Sequence, residues 1–494
     1  MNELKELVRY FSDQKLQHIN VLGLSNEEDD LSENLFRKVR NGSINSDQEA
    51  SEYFFKKNPK YKGYRELKLR LWDKLVNAVL ITGSHSNEYT TMQKSYAKLL
   101  RYLAVAKILQ TNTVHLTTVW IADYVLKRAV QNKFYDCIEE ASRLLRDHHA
   151  VRTRDKKLYQ HYKLINQNAL KAIELEQKVL LFYNDMILAN QEKHFDVIEF
   201  SKKIFAFVKS LETEITECDS FRFHVLIRLV RLTGFSMIHD HESVIKYVQI
   251  DVKYFLENHT GYNLSLVALL LQKATSCLKI GKYEKGLATI QECLAFVKKN
   301  NTNWFATKHI EFLLRMHSKS YQKALEIFQE VKSNRKLKYI PESMQEDWKV
   351  AEAYLAVLKE NGKVDTNGKR FRVGKFMNEV PTYSKDKKGK NVSILTAQFL
   401  FFLVRGKHDE LICRSESLQQ YCNRNFKGRD GRSNIALRML NKIPTCDFKA
   451  VRINAHTKEL RKRLAQTPYH ENKKDYLVEP MKYEDVWELA MSRL

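Results

Sequence analysis

Apolar residues recur along most of the chain at the three- and four-residue spacing of an amphipathic α-helix. Residues 65–81 show the pattern well, with Leu67, Leu71, Leu75 and Val79 on one stripe. Short polar breaks separate one such segment from the next. The pattern predicts further helices at 96–110, 114–130, 134–145, 158–189, 195–211, 221–237, 244–256, 393–404, 410–422, 433–440 and 483–494.

Residues that interrupt helices are rare. The chain of 494 residues contains 15 glycines and 6 prolines, and no proline occurs at positions 60–340. Proline breaks helix interiors and glycine marks many turns, so this depletion favours long helices with short connections. The sequence therefore predicts an all-α protein.

The first 85 residues predict a small helical module. Ser46 and Glu49 have the spacing of a capping box and would begin a helix that ends near Phe55. Asn58-Pro59 then breaks the chain before the basic helix at 65–81. This order leaves two interpretations open. The second helix either contacts DNA or presents a solvated basic face. The connection between the two helices is longer than the turn of a usual helix-turn-helix motif, which favours the solvated face.

One internal repeat is clear between residues 264 and 331. Small Ala274 falls on a first helix, Gly281 marks a turn, and a second helix follows. Five positions of that second helix recur 38 residues later, namely Tyr283/Tyr321, Gly286/Ala324, Leu287/Leu325, Ile290/Phe328 and Cys293/Val331. Phe312 departs from the pattern because it stands where a small residue is expected.

These residues resemble the tetratricopeptide (TPR) family of helical repeats, although the family's usual period of about 34 residues is not kept. The resemblance implies an α-solenoid of stacked helical hairpins, and it brings no catalytic residues with it. The predicted organisation is a small helical N-terminal module at 1–85, a TPR-like array at 90–360, a basic glycine-containing connector at 361–392, and a C-terminal helical region with a capping helix at 393–494.

Positive charge is large and unevenly placed. The formal net charge is +24, and residues 369–474 hold 25 basic but only 9 acidic residues. Such a region attracts nucleic acid or an acidic protein. The candidate contact residues are Lys369, Arg370, Phe371, Arg372, Lys375, Phe376, Lys387, Lys388, Lys390, Arg461, Lys462 and Arg463. Alternatively, they form a flexible solvated loop and an exposed helix face.

Candidate catalytic chemistry is sparse. Asp147-His148-His149 spells a phosphoesterase motif, but it ends a predicted helix instead of a strand, and a helix-terminal histidine pair near the negative end of the helix dipole is the simpler account. His239-Asp240-His241-Glu242 combines metal-ligand residue types in a predicted turn, where neighbouring side chains diverge. We find no phosphate-binding glycine loop and no nucleophile elbow. The seven cysteines show no C-x-x-C pair, which indicates reduced packing thiols. We therefore predict neither an enzyme nor a cofactor.

The N-terminus lacks the apolar core of a signal peptide, and the most apolar run, 393–404, is shorter than a membrane span. We expect a cytoplasmic protein without a transmembrane segment. The predicted function is a scaffold or adaptor that binds another macromolecule, with a protein as the expected partner. The alternative is a nucleic-acid-associated or ribosome-bound factor that uses the basic C-terminal region.

Overall fold

A computed structural model describes residues 1, 3–5, 8, 31–82, 90–189, 196–258, 263–365, 390–425, 431–469 and 479–494. Every regular element in these ranges is a helix, which confirms the all-α prediction. In chain order the helices are α1 (Leu31–Arg40), α2 (Asp47–Phe55), α3 (Lys62–Thr82), α4 (Thr91–Thr111), α5 (His115–Asn132), α6 (Tyr135–Val151), α7 (Lys156–Ala189), α8 (Val197–Lys209), α9 (Glu212–Glu217), α10 (Phe221–Met237), α11 (His241–Asn258), α12 (Asn263–Lys279), α13 (Tyr283–Phe296), α14 (Thr302–His317), α15 (Tyr321–Lys332), the 3-10 helix η1 (Arg335–Tyr339), α16 (Glu342–Glu360), α17 (Lys390–Val404), α18 (His408–Asn425), α19 (Arg432–Thr445), α20 (Ala450–Gln466) and α21 (Tyr483–Met491).

The chain divides into two compact units. Unit 1 comprises Met1–Gln191 and Leu211–Ile227, and unit 2 comprises Glu192–Ser210 and Arg228–Leu494. The predicted helices appear in both units, and most of their observed bounds lie within a few residues of the prediction. Among the described residues, no helix is both long enough and apolar enough to span a membrane.

The helices α1 to α3 of unit 1 have a hydrophobic core of their own, to which α3 contributes the predicted stripe of leucines. Ser46 caps α2, since its hydroxyl accepts the Glu49 N–H at 3.1 Å. The Glu49 carboxylate accepts the N–H of Asn45, the residue before the cap, at 2.7 Å, so the glutamate reaches back as in the predicted capping box but bonds one residue earlier. The connection to α3 is six residues long, from 56 to 61.

The remaining long helices of unit 1 form hairpins in chain order. Helices α4 to α7 pack each against the next, with connections of two to four residues. Their shared core is continuous and includes Leu103, Val125, Cys137 and Ala169. Short connections between packed neighbours make these helices antiparallel, as in helical hairpins generally.

One turn geometry recurs between successive helices of both units. At Gly281, the residue two positions after the end of α12, φ is +75°. The Gly281 and Lys282 N–H groups donate to the carbonyls of Leu278 and Cys277, which is the Schellman motif. The same positive φ and hydrogen bonds occur at Thr113, Lys133, His239, Lys319, Gly362, Gly406 and Asp447.

The repeat at 264–331 lies in unit 2 and forms the hairpins α12–α13 and α14–α15. The α12–α13 turn and the α14–α15 turn are each three residues long and lie 38 residues apart. Burial follows the same offset, because Tyr283 and Tyr321 are half-buried while the other four residue pairs are buried. Close packing explains Gly286, since a Cβ atom there would lie 2.7 Å from Leu314 Cδ2 and 3.2 Å from Cys277 Cβ.

A buried ionic network joins the C-terminal helices of unit 2. The guanidinium of Arg432 on α19 donates to the carboxylate of Glu479 at 2.7 and 3.2 Å and to that of Glu484 at 2.6 and 2.9 Å. It also donates to the carbonyls of Leu464 and Thr467 at 3.1 and 2.8 Å. The network therefore links α19, the end of α20 and the start of α21 through one side chain.

Candidate macromolecule-binding surface

Aromatic and basic side chains meet on the exposed side of the α4–α5 hairpin. The surface consists of Lys98, Arg101 and Tyr102 of α4 and Trp120, Tyr124 and Arg128 of α5. We call it the hairpin surface. Helical spacing explains the grouping, because residues four apart share one face and α5 presents Trp120, Tyr124 and Arg128 in succession.

The rings are arranged in a row. The ring centroids of Trp120 and Tyr124 lie 6.1 Å apart at an interplanar angle of 15°, and those of Tyr124 and Tyr102 lie 5.2 Å apart at 31°. Trp120 is 64% exposed. The row therefore ends in the indole of Trp120, which stacks on the Tyr124 ring and is open to solvent.

Lys98 connects the two tyrosines. Its Nζ donates to the Tyr124 hydroxyl at 2.9 Å and lies 5.5 Å from the Tyr102 ring centroid. This hydrogen bond, opposed by slight burial, lowers the pKa of the Tyr124 phenol. Cation–π attraction further stabilises the arrangement, and the Arg101 guanidinium carbon lies 5.9 Å from the Tyr102 centroid.

The positive charge of the hairpin surface is largely uncompensated. Within the described ranges, no carboxylate lies within ion-pair distance of Arg101, Arg128 or nearby Lys94, whereas Lys127 pairs with Asp123 at 2.6 Å. Apolar surface adjoins the charges, since Leu116, one turn before Trp120, is 84% exposed. The surface thus offers both cations and apolar contact area.

The sequence did not reveal this surface, because aromatic residues at helical spacing usually face a core. Helix α5 carries two apolar stripes, and the one with Ile121, Val125 and Ala129 is buried. Leu116 and Trp120 lie on the other stripe. A second apolar stripe on one helix, with basic residues three or four positions away, is the sequence feature that could have indicated an exposed binding surface.

Most of the basic residues predicted as contacts have side chains outside the described part of the chain. Residues 369–388 lie outside the described ranges, and so does the side chain of Lys390, the first residue of α17. On α20, Arg461 and Lys462 are exposed, and Arg463 is half-buried. The Arg461 guanidinium donates to the carbonyl of Asn454 at 3.3 Å.

The two histidine motifs have local partners. Helix α6 continues to Val151, so Asp147, His148 and His149 lie in its last two turns, at the end of the helix as expected. His149 stacks on the Tyr162 ring with centroids 5.5 Å apart. Its Nδ1 lies 3.0 Å from the Thr153 hydroxyl.

The second motif is not a turn throughout, because His241 and Glu242 already belong to α11. Buried His241 lies 3.3 Å from the Ser276 hydroxyl, whereas Glu242 pairs with Lys282 at 2.5 Å. The two side chains therefore face different partners. In the described part of the chain, no three histidine, cysteine or carboxylate side chains form a group that could hold a metal ion.

No protein-family model, no curated protein and no solved structure matches the chain.

Proposed function

We propose that the protein is a non-enzymatic scaffold or adaptor that binds another protein through the hairpin surface. The observation that carries this proposal is the row of Trp120, Tyr124 and Tyr102 beside cations that lack carboxylate partners. Tryptophan, tyrosine and arginine dominate the energetics of protein interfaces. An acidic segment with an aliphatic or aromatic side chain would complement the charge and cover Leu116 and Trp120.

We further propose that, within each unit, the hairpins stack as in a TPR-like α-solenoid. Three observations support this arrangement: the Schellman turn that recurs between successive helices, the 38-residue offset of two hairpin turns, and the matched burial of repeat positions. Stacked hairpins expose a long surface formed by successive repeats, which suits an elongated partner. The hairpin surface would then be one segment of a longer binding surface.

A peptide-display selection against the full chain tests the proposed partner class. We expect the selected peptides to be acidic and to contain at least one large apolar residue. Trp120→Ala should weaken their binding by about 30-fold or more, because truncation of a central aromatic anchor costs about 2 kcal/mol or more. Fluorescence anisotropy of a labelled peptide measures the dissociation constant.

The matched control is Tyr339→Ala in η1, since Tyr339 is an aromatic residue that is 63% exposed and is not part of the hairpin surface. This variant should bind like the wild type. Selected peptides without net negative charge, or equal losses for both variants, would contradict the proposal.

The second candidate function, nucleic-acid association through the basic C-terminal region, is supported by the exposure of Arg461 and Lys462 on α20. If it is correct, affinity for single-stranded RNA should fall steeply as salt rises, because each neutralised phosphate releases counterions. Replacing Lys369, Arg370, Arg372 and Lys375 with serine should then flatten this salt dependence. Anisotropy titrations at several salt concentrations measure it.

Stacking gives a further test of the same candidate. Replacing Phe371 and Phe376 with alanine should weaken single strands more than duplex, because only unpaired bases offer a ring face. Absence of RNA binding by the wild type at low salt would rule this candidate out. The positive charge would then be assigned to an acidic protein partner.

A further inference from the structure

The N-terminal module contains an open cleft that the proposed function does not use. Its volume is about 570 Å³, and it lies between the start of α2, the α2–α3 connection and one face of α3. Such a volume is within the range of small-molecule sites. The residues that line the cleft include Lys60, Tyr64, Arg65, Lys68, Leu69 and Trp72.

The wall formed by α3 has a cationic end and an aromatic end. Arg65, Lys68, Leu69 and Trp72 follow the three- and four-residue spacing of one helix face. Arg65 and Trp72 are separated by about 10 Å along the axis. Helical side chains lean toward the N-terminus, which brings the indole of Trp72 over the turn that carries Lys68.

The carboxylate on the floor of the cleft already has partners within the module. Asp47 accepts hydrogen bonds from the buried Tyr64 hydroxyl at 2.6 Å and from Lys68 Nζ at 2.7 Å. Burial alone would raise the pKa of Asp47. The hydrogen bonds from Lys68, Tyr64 and the N-terminal ammonium group outweigh burial and lower this pKa to about 2. Asp47 therefore stays ionised with its charge balanced by Lys68, and it does not oppose an anion at the entrance.

The entrance keeps two available cations. Lys60 and Arg65 are exposed, and no carboxylate in the described part of the chain lies within ion-pair distance of either. Leu69 is 61% exposed, so the aromatic end is flanked by apolar surface. The cleft thus combines a pair of cations for an anion with an indole and an aliphatic side chain for a flat apolar group.

We propose that this cleft binds a nucleotide, with the phosphate between Lys60 and Arg65 and the base on Trp72 beside Leu69. The combination distinguishes a nucleotide from a plain anion, because cations alone hold phosphate while an indole face adds stacking. A free nucleotide and a nucleotide within a single strand share this chemistry. The open form of the cleft accommodates either source.

The test uses the full chain with three probes: ATP, inorganic triphosphate, and a fluorescein-labelled single strand of ten deoxyadenosines. Calorimetry reports the first two and anisotropy the third. We expect ATP or the strand to bind, and inorganic triphosphate to bind more weakly than the nucleotide probe that binds. Binding of ATP indicates a free nucleotide as ligand, and binding of the strand alone indicates nucleotides within nucleic acid.

Variants locate the site. Trp72→Ala should weaken the probe that binds by about 5- to 150-fold, as expected for the loss of one base–aromatic stack. Because Trp72 also packs against the module core, the double variant Lys60→Ser/Arg65→Ser is the decisive one. It changes two exposed residues and should weaken binding at least about tenfold, with a shallower salt dependence.

Arg70→Ser is the matched control, since Arg70 is exposed on α3 but does not line the cleft. It should bind like the wild type, and so should Trp120→Ala, which separates this site from the hairpin surface. The proposal is overturned if neither ATP nor the strand binds at low salt, or if the double variant binds like the wild type. It is also overturned if inorganic triphosphate binds as tightly as the nucleotide probe, or if an acidic peptide displaces the bound probe as effectively as the unlabelled probe does.

Discussion

Replacing Arg432 with methionine should lower the free energy of unfolding by about 3–5 kcal/mol, the cost of removing one partner from a buried ion pair. Arg432 is 4% exposed and Glu479 is fully buried. The substitution keeps an apolar side chain of comparable length but leaves the Glu479 carboxyl group without its guanidinium. Urea unfolding followed by circular dichroism measures the change.

The cost is large because the pair holds several segments at once. The Glu479 carboxylate also accepts the N–H of Tyr483, the first residue of α21, at 3.2 Å. The Glu479 carbonyl accepts a hydrogen bond from His317 Nε2 at 2.7 Å, which fixes that nitrogen as the protonated one. Burial raises the pKa of Glu479 to about 7 against the opposing effect of Arg432, so the carboxyl group depends on Arg432 for its charge.

A double variant separates loss of the charge pair from loss of packing. Arg432→Met/Glu479→Leu removes both charges, and apolar replacement of a whole buried pair is often neutral or stabilising. We therefore expect it to recover much of the lost stability, although Glu484 loses a partner as well. If Arg432→Met alone unfolds at the wild-type urea concentration, the network does not hold α21 in place.

Ala324→Arg should destabilise the repeat hairpin α14–α15 by about 4 kcal/mol or more. Ala324 has no exposed surface. The change adds a long side chain to a filled core, which costs about 1–3 kcal/mol, and it buries a cation without a partner, which costs several more. Thermal and urea unfolding both measure the effect.

Glu326→Arg is the matched control, because Glu326 is exposed on the same helix two residues away. It introduces the same side chain and should change stability by no more than about 0.5 kcal/mol. An Ala324→Arg variant as stable as this control would show that the 38-residue repeat register is wrong.

Helix positions could be predicted from the sequence because they depend on local periodicity and capping. Ser46 began α2 as expected, and the α12–α13 turn fell at Gly281. Helix ends were less accurate where no proline or glycine marked them, as at Val151 of α6. Thr113 and Lys319 adopt positive φ without being glycine, so residue type gave no sign of the left-handed backbone at those positions.

The interaction surfaces depend on which residues of different helices become neighbours in space. Helical periodicity within a single sequence does not indicate which helices pack together. Trp120 and Tyr102 lie on different helices, and their common surface requires the pairing of α4 with α5. Glu479 and Arg432 are 47 positions apart, and no local pattern joins them. Trp72 both packs against the module core and lines the cleft, and helical spacing alone does not separate the two roles.

Photo-crosslinking from position 120 tests directly whether the hairpin surface binds a protein. A photoreactive amino acid replaces Trp120, or Tyr339 as the control, and native lysate is irradiated with and without nuclease. We predict a specific protein adduct at position 120 that survives nuclease and is absent at position 339. Mass spectrometry should place the crosslink in an acidic segment of the partner, and that segment, once purified, should bind the wild type but not Trp120→Ala. Adducts that contain nucleic acid and disappear with nuclease, or identical products from both positions, would contradict protein binding at this surface.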